Sequence, residues 1–175
     1  MTAIVYEPQP TSADIEAMSA RVAKVEGSSA VFVPGTFTVD TLPAPAAAMV
    51  GMYARVTDLF GEKRDLVLCS QVGDTFFWQP VRQQYAKTMT LAADMPLTTL
   101  KSPTIVLLAG TLGANRNITL SNIYAYPGAS FEVGFDGNLG LFGITLRNHL
   151  GSSLGSLLGG GRRRFFFADG NWQNF

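Results

Sequence analysis

His149 is the only histidine in a chain of 175 residues, and that fact removes much of the catalytic repertoire. A multi-histidine metal site cannot be built, and a Ser-His-Asp triad would have to use this one imidazole. It borders a Gly/Ser-rich loop, a poor support for a preorganised base, so it reads as a solvent-facing or edge residue. The carboxylates (Asp58, Glu62, Asp65, Asp74, Asp94, Glu132, Asp136, Asp169) fall mostly at turns, where Asp hydrogen-bonds its own backbone. No two of them have the spacing of a glycosidase pair. Cys69 is the single cysteine and lies in the apolar run LVLC, which predicts a buried inert thiol. It leaves no internal disulfide and no thiolate metal cluster. The glycine clusters lack the GxxxxGK[ST] phosphate cradle. These residue types predict no enzyme, no cofactor and no metal.

One charge cluster stands out, Arg162-Arg163-Arg164. Three guanidiniums can hold a phosphate or an acidic neighbour, but strand alternation would split them between two faces. They read as solvating the start of the last hairpin, or as pairing with Asp or Glu across a subunit boundary. Lys+Arg and Asp+Glu are both 13. The chain therefore has no basic surplus for a general nucleic-acid surface. Trp78 and Trp172 sit near strand ends and read as core plugs.

The elements that must position these residues change character at Ser28. Before it, residues 1–10 form an extended arm because Pro8 and Pro10 fix φ and remove donors. The spacing over TSADIEAMSARVAKVEG predicts the one clear helix. Thr11 and Asp14 stand in capping-box positions and Gly27 ends it. Ile15, Met18, Val22 and Val25 form a short a/d seam. That seam either lies on the chain's own sheet or self-associates at a symmetry axis.

From 29 to 175 short β-branched and aromatic runs alternate with Gly, Pro, Asn and Asp. Strands are expected at 30–33, 36–39, 52–58, 65–70, 75–81, 87–92, 104–110, 117–121, 130–135, 141–147 and 164–168, closed by NWQNF. Their spacing of about 8–12 residues predicts a mainly β fold, an antiparallel β-sandwich or jelly-roll-like body. Two smaller β-units, about 29–100 and 101–175, are the other arrangement. Phe131, Val133 and Phe135 should share a face, as should Phe142, Ile144 and Leu146. DGNLG (136–140) reads as a hairpin turn between them, and Asp169-Gly170 as the primed turn of a closing hairpin.

The segment 148–161 is uncharged and carries Leu150, Leu154, Leu157 and Leu158. It reads as too flexible for a strand of its own. It either docks on a neighbour or folds back over its own sheet. Charged residues are 15% of the chain, hydrophobic residues 47%, with 18 Gly and 12 Phe. So sparse a charge suits a subunit of an assembly better than a free monomer. The first residues, MTAIVYEPQP, have no basic n-region or long apolar core, and no run nears the roughly 20 residues of a membrane span. The expectation is a protein made in the cytoplasm.

Two stretches carry a resemblance. TIVLLAGTLGANRNITLSNIYAYPGASFEVGF, with the closing Ala168-Asp169-Gly170-Asn171-Trp172, resembles a module of tailed-bacteriophage virion proteins. TFTVDTLPAPAAAMVGMYARVTDLFGEKRDLVLCS and the FFWQPV that follows are similar to another phage pattern. Together they cover roughly residues 36–175. The resemblance implies a β-rich, typically homotrimeric structural protein of the virion. A capsid decoration (cement) protein on the major capsid protein is the first expectation, assembled in the host cytoplasm. A short tail-fibre or tail-tip component binding a host receptor or glycan is the alternative. Ile15, Met18, Val22, Val25, Leu150, Leu154, Leu157 and Leu158 are the expected oligomer or shell contacts, with neither nucleic acid nor membrane as a partner.

Overall fold

The computed structural model describes residues 30–61, 63–82 and 84–174. The arm, the helix and the seam of Ile15, Met18, Val22 and Val25 lie outside the described residues. Strands make up 53% of the structure and helix 4%.

The first unit is a four-stranded sheet. It comprises β1 (Phe32–Phe37), β2 (Tyr53–Leu59), β3 (Lys63–Val72) and β4 (Thr75–Pro80), side by side in that order. β2, β3 and β4 are antiparallel neighbours, while β1 joins β2 in parallel. That parallel pairing needs a crossover, supplied by the Leu-Pro-Ala-Pro-Ala connection and its two single 3-10 turns, Val39–Thr41 and Ala47–Met49. Val39, Val56, Leu59, Cys69, Trp78 and Leu100 are buried together on the side that this connection covers.

The remaining strands wind into coils. β5 (Ala86–Thr90), β7 (Ile105–Ala109) and β9 (Ser130–Phe135) stack in parallel in one sheet. β6 (Met95–Leu97), β8 (Arg116–Leu120) and β10 (Ile144–Asn148) stack in parallel in a second. Successive strands therefore alternate between sheets, and the chain climbs as a β-solenoid of about four turns. The final turn reverses direction: β11 (Ser153–Leu157) runs antiparallel to β10, and β12 (Arg162–Ala168) antiparallel to β9. β13 (Asn171–Asn174) folds back on β12 through a two-residue turn. Asp169 and Gly170 there have φ of 51° and 75°, the positive values such a turn requires.

The expected antiparallel sandwich or jelly roll is thus incorrect, and the corners show why. DGNLG does not return the chain beside β9; it carries it across to the other sheet. The backbone there bonds to the coil beneath, Asn138 N to Gly110 O at 2.9 Å and Leu112 N to Asn138 O at 3.0 Å. Side-chain amides and carboxylates continue the stitching. Asp94 accepts from Asn117 N and Nδ2, both at 2.9 Å, and Asn115 Oδ1 accepts from Gly143 N at 2.9 Å. Turn residues thus bond the next coil in addition to their own loop.

Inward residues stack in columns and make the core: Val106 on Val133, Leu108 on Phe135, and Ile118 on Leu146, all buried. Phe131, Val133 and Phe135 share the buried face as expected, with Ile144 and Leu146 facing them. Phe142 does not join them. It lies in the corner and is 38% exposed. The 148–161 segment does contain a strand, β11, because pairing with β10 satisfies the backbone that its flexible composition leaves open. Leu157 sits in the core and Leu154 packs against it, whereas Leu150 and Leu158 are exposed.

Candidate functional site

A cleft of about 220 Å³ opens where the four-stranded sheet meets the solenoid. Its walls come from four separated segments: Leu42–Pro45, Phe76–Trp78, Leu100, and Tyr124 with Ala125. Strand alternation gives β4 its double role. Trp78 turns into the sheet's own core and donates Nε1–H to Pro43 O at 2.8 Å, fixing the proline connection over it. Phe77 turns the opposite way and stacks on Tyr126, centroids 5.6 Å apart and planes 9° from parallel. Burial pushes the Tyr126 phenol up to about 12, so it stays neutral and serves as packing.

A polar trio stands at the rim. Asp40 accepts from Lys101 Nζ at 2.6 Å and from the Tyr124 hydroxyl at 3.0 Å. The Lys101 bond, with the tyrosine bond second, holds the Asp40 carboxyl below its ordinary range, and the Asp40 bond raises Lys101. Both ionised partners reach solvent, so this pairing orients the rim more than it stabilises the fold. Leu100 and Tyr124 adopt φ of 68° and 57°, and Phe60, whose N–H bonds Leu100 O at 2.6 Å, adopts 56°. Non-glycine residues there are strained, and such strain is retained where the surroundings impose it. Leu100 and Tyr124 both line the cleft, and Phe60 is tied to it through its bond to Leu100. A mostly apolar recess with a few converging polar groups is the shape of a small-ligand or side-chain receptor.

A second constellation occupies the far end of the solenoid, around the arginines of β12. Alternation divides them as expected, but their partner lies within the chain. Arg164 Nε bonds Glu132 Oε2 at 2.7 Å, and Arg162 Nη1 bonds Oε1 of the same carboxylate at 3.3 Å. Arg163 turns to the other side, lies against Gly155, and donates Nε–H to Ser156 O at 2.8 Å. The Arg164 bond holds the Glu132 carboxyl below its ordinary value of 4.5. A depressed carboxylate contributes stability above its unfolded pKa and loses it as pH falls through the folded one. The urea midpoint should therefore fall more steeply below about pH 4.5 in the parent than in Glu132→Gln, followed down to about pH 3. Parallel curves would show that the clamp carries no linked stability.

The other singled-out residues stay apart. Cys69 is buried, and burial raises its thiol, as an inert core cysteine requires. Trp172 is buried in the solenoid core against Phe131 and Phe167. His149 lies in the β10–β11 turn, its Nδ1 buried without a partner. No group of three or more His, Cys, Asp or Glu placed to hold a metal occurs among the described residues. None of the described helices is long and apolar enough to cross a membrane. The cleft was not legible in the sequence, because its walls come from segments far apart in the chain.

No family model matches the chain, and no curated protein does. One solved structure, described as a chaperone-substrate complex, aligns with a TM-score of 0.40 and 13% identity over 70% of this chain. The alignment spans 22% of that chain's length. A likeness of this size carries no argument about function.

Proposed function

We propose that the protein is a structural component of a tailed-bacteriophage virion, a decoration protein that binds the capsid shell as a homotrimer. The observation that carries this reading is the solenoid corner formed by residues 136–143 and 158–161. Leu141 is fully exposed there, Leu158 72% exposed and Phe142 38% exposed. Phe135 and Gly160–Gly161 hydrogen-bond across it, so both loops belong to one edge of the stack. Burying these side chains against a neighbour recovers about 25 cal/mol per Å², and an apolar corner in so charge-poor a chain marks a contact surface. The stacked coils supply a stiff support, and each copy repeats its contact around a shell.

The junction cleft supports the second reading, a short tail-fibre or tail-tip component whose recess takes a host receptor or glycan. The two part on one experiment: light-scattering mass of the purified protein, with pelleting on undecorated phage heads and on host cells. Decoration predicts a trimer that cosediments with heads, and loses at least tenfold in apparent affinity in the Leu141→Ser, Leu158→Ser double variant. Cosedimentation with cells alone moves the assignment to the fibre. A monomer that pellets with neither refutes both.

A further inference from the structure

We propose that the junction cleft receives a proline-rich, extended segment of a partner protein, taken up beside a proline segment of the chain's own. The internal segment shows the mode of contact. Pro43 and Pro45 fix φ and turn Leu42 and Ala44 away from the helical region. Leu42, at φ −56° and ψ 134°, has the polyproline II conformation. This connection lies on Trp78, a buried indole that donates its N–H to Pro43 O. An aromatic floor under a preformed extended segment is how polyproline ligands are held, so the chain already makes one such contact within itself. Phe76 and Trp78 stand two apart on β4 and share a face. The aromatic row therefore runs on from Trp78 to Phe76, and the cleft of about 220 Å³ continues the contact that the connection begins.

The rest of the lining sets the chemistry of the ligand. Leu100, Ala125 and the Tyr124 ring, 36% exposed, complete the walls. The space is smaller than the roughly 300–1,000 Å³ of a small-molecule pocket, and suits rings presented by a passing chain. Polyproline II has no internal hydrogen bonds, and its prolines have no N–H, so such a segment presents carbonyl acceptors and apolar rings. Its receptor must donate. The Lys101 ammonium carries three N–H groups, and Asp40 engages it from one side, which leaves donor capacity for a ligand. It stands 6.0 Å from the centre of the Tyr124 ring. Asp40 also accepts the Tyr124 hydroxyl, so the carboxylate is occupied and the rim offers donors beside an aromatic face. A sugar, whose hydroxyls both donate and accept, fits this one-sided rim less well. The inference stands on the walls of the cleft and does not depend on the virion assignment.

Fluorescence anisotropy with a labelled nine-residue Ala-Pro-Pro repeat tests it on the full chain. Affinity should fall at least roughly tenfold when every proline of the peptide is replaced by alanine, since the preformed conformation and the rings are lost together. It should fall roughly tenfold in Tyr124→Ala, the worth of one aromatic contact, and several-fold in Lys101→Met, which removes the donor and keeps the stem. The Lys101 variant changes an exposed side chain and keeps the test open should Tyr124→Ala unfold. Binding should also shift the Trp78 indole N–H signal in NMR, because its acceptor, Pro43 O, belongs to a residue of the cleft wall. Equal binding of the proline-free peptide refutes polyproline recognition. Parent affinity in a folded Tyr124→Ala and in Lys101→Met, or binding with no shift at Trp78, refutes the cleft as the site. Displacement of the peptide by a dextran oligosaccharide would overturn the peptide assignment in favour of a sugar.

Discussion

Gly137→Ala is expected to lose about 3 kcal/mol or more of stability, while Gly113→Ala should stay within about 0.5 kcal/mol of the parent. Neither glycine has a positive φ, so the comparison isolates space from backbone conformation. A methyl at Gly113 meets nothing within 4 Å, whereas one at Gly137 would lie 2.0 Å from Gly110 O and 2.7 Å from the Phe135 ring. The nearest atom is backbone of the coil beneath, already accepting Asn138 N–H, and it cannot swing aside as a flexible side chain would. The coils must part, breaking the bonds that define the corner. Thermal unfolding reads this directly, at about 2–4 °C per kcal/mol for a chain of this size. If Gly137→Ala melted with the parent, the corners would not stack, and DGNLG would be the hairpin turn that its composition suggests.

That comparison also shows what composition and spacing can carry. Most strands lie where alternation and turn residues place them, and Phe131, Val133 and Phe135 face the core as a period of two demands. Pairing is a different matter. Asp-Gly-Asn turns a chain into a hairpin when the next strand can lie alongside, and into a corner when another coil offers partners. The sequence does not distinguish the two. A regular repeat would have betrayed the solenoid, but the coils differ in length. Val106 lies beside Lys87, nineteen residues earlier, and beside Val133, twenty-seven later. Coils of unequal length leave no fixed period to detect.

The sites follow the same logic. The division of Arg162, Arg163 and Arg164 between two faces is local geometry and was legible. That Glu132 would clamp two of them depends on β9 lying antiparallel to β12, a long-range fact. The junction cleft depends on Pro43, Phe76, Leu100 and Tyr124 meeting from four segments. The strain at Leu100 and Tyr124 is invisible in residue type, since Leu and Tyr rarely adopt positive φ.

Truncation after Gly161 should abolish soluble expression. It removes Phe165, Phe167 and Trp172 from the core and uncovers the edge of β9 that β12 pairs. A solenoid without its reversed last strand presents bare backbone and apolar columns to solvent, the condition under which sheets aggregate. Trp172→Ala gives the graded form of the same test. The indole is 2% exposed, contacts Phe131 and Phe167 at 5.2 and 5.3 Å between centroids, and donates Nε1–H to Ser121 O at 3.0 Å. Its loss should cost about 3–5 kcal/mol through the cavity it leaves, in addition to stranding the Ser121 carbonyl. Trp172→Phe keeps a ring in place and gives up the bond and part of the volume, so a cost of about 1–3 kcal/mol is expected. Chemical denaturation of the two variants separates packing from hydrogen bonding. A soluble, cooperatively folding truncation, or a Trp172→Ala variant as stable as Trp172→Phe, would mean that the closing hairpin is an appendage and that the three coils close the core without it.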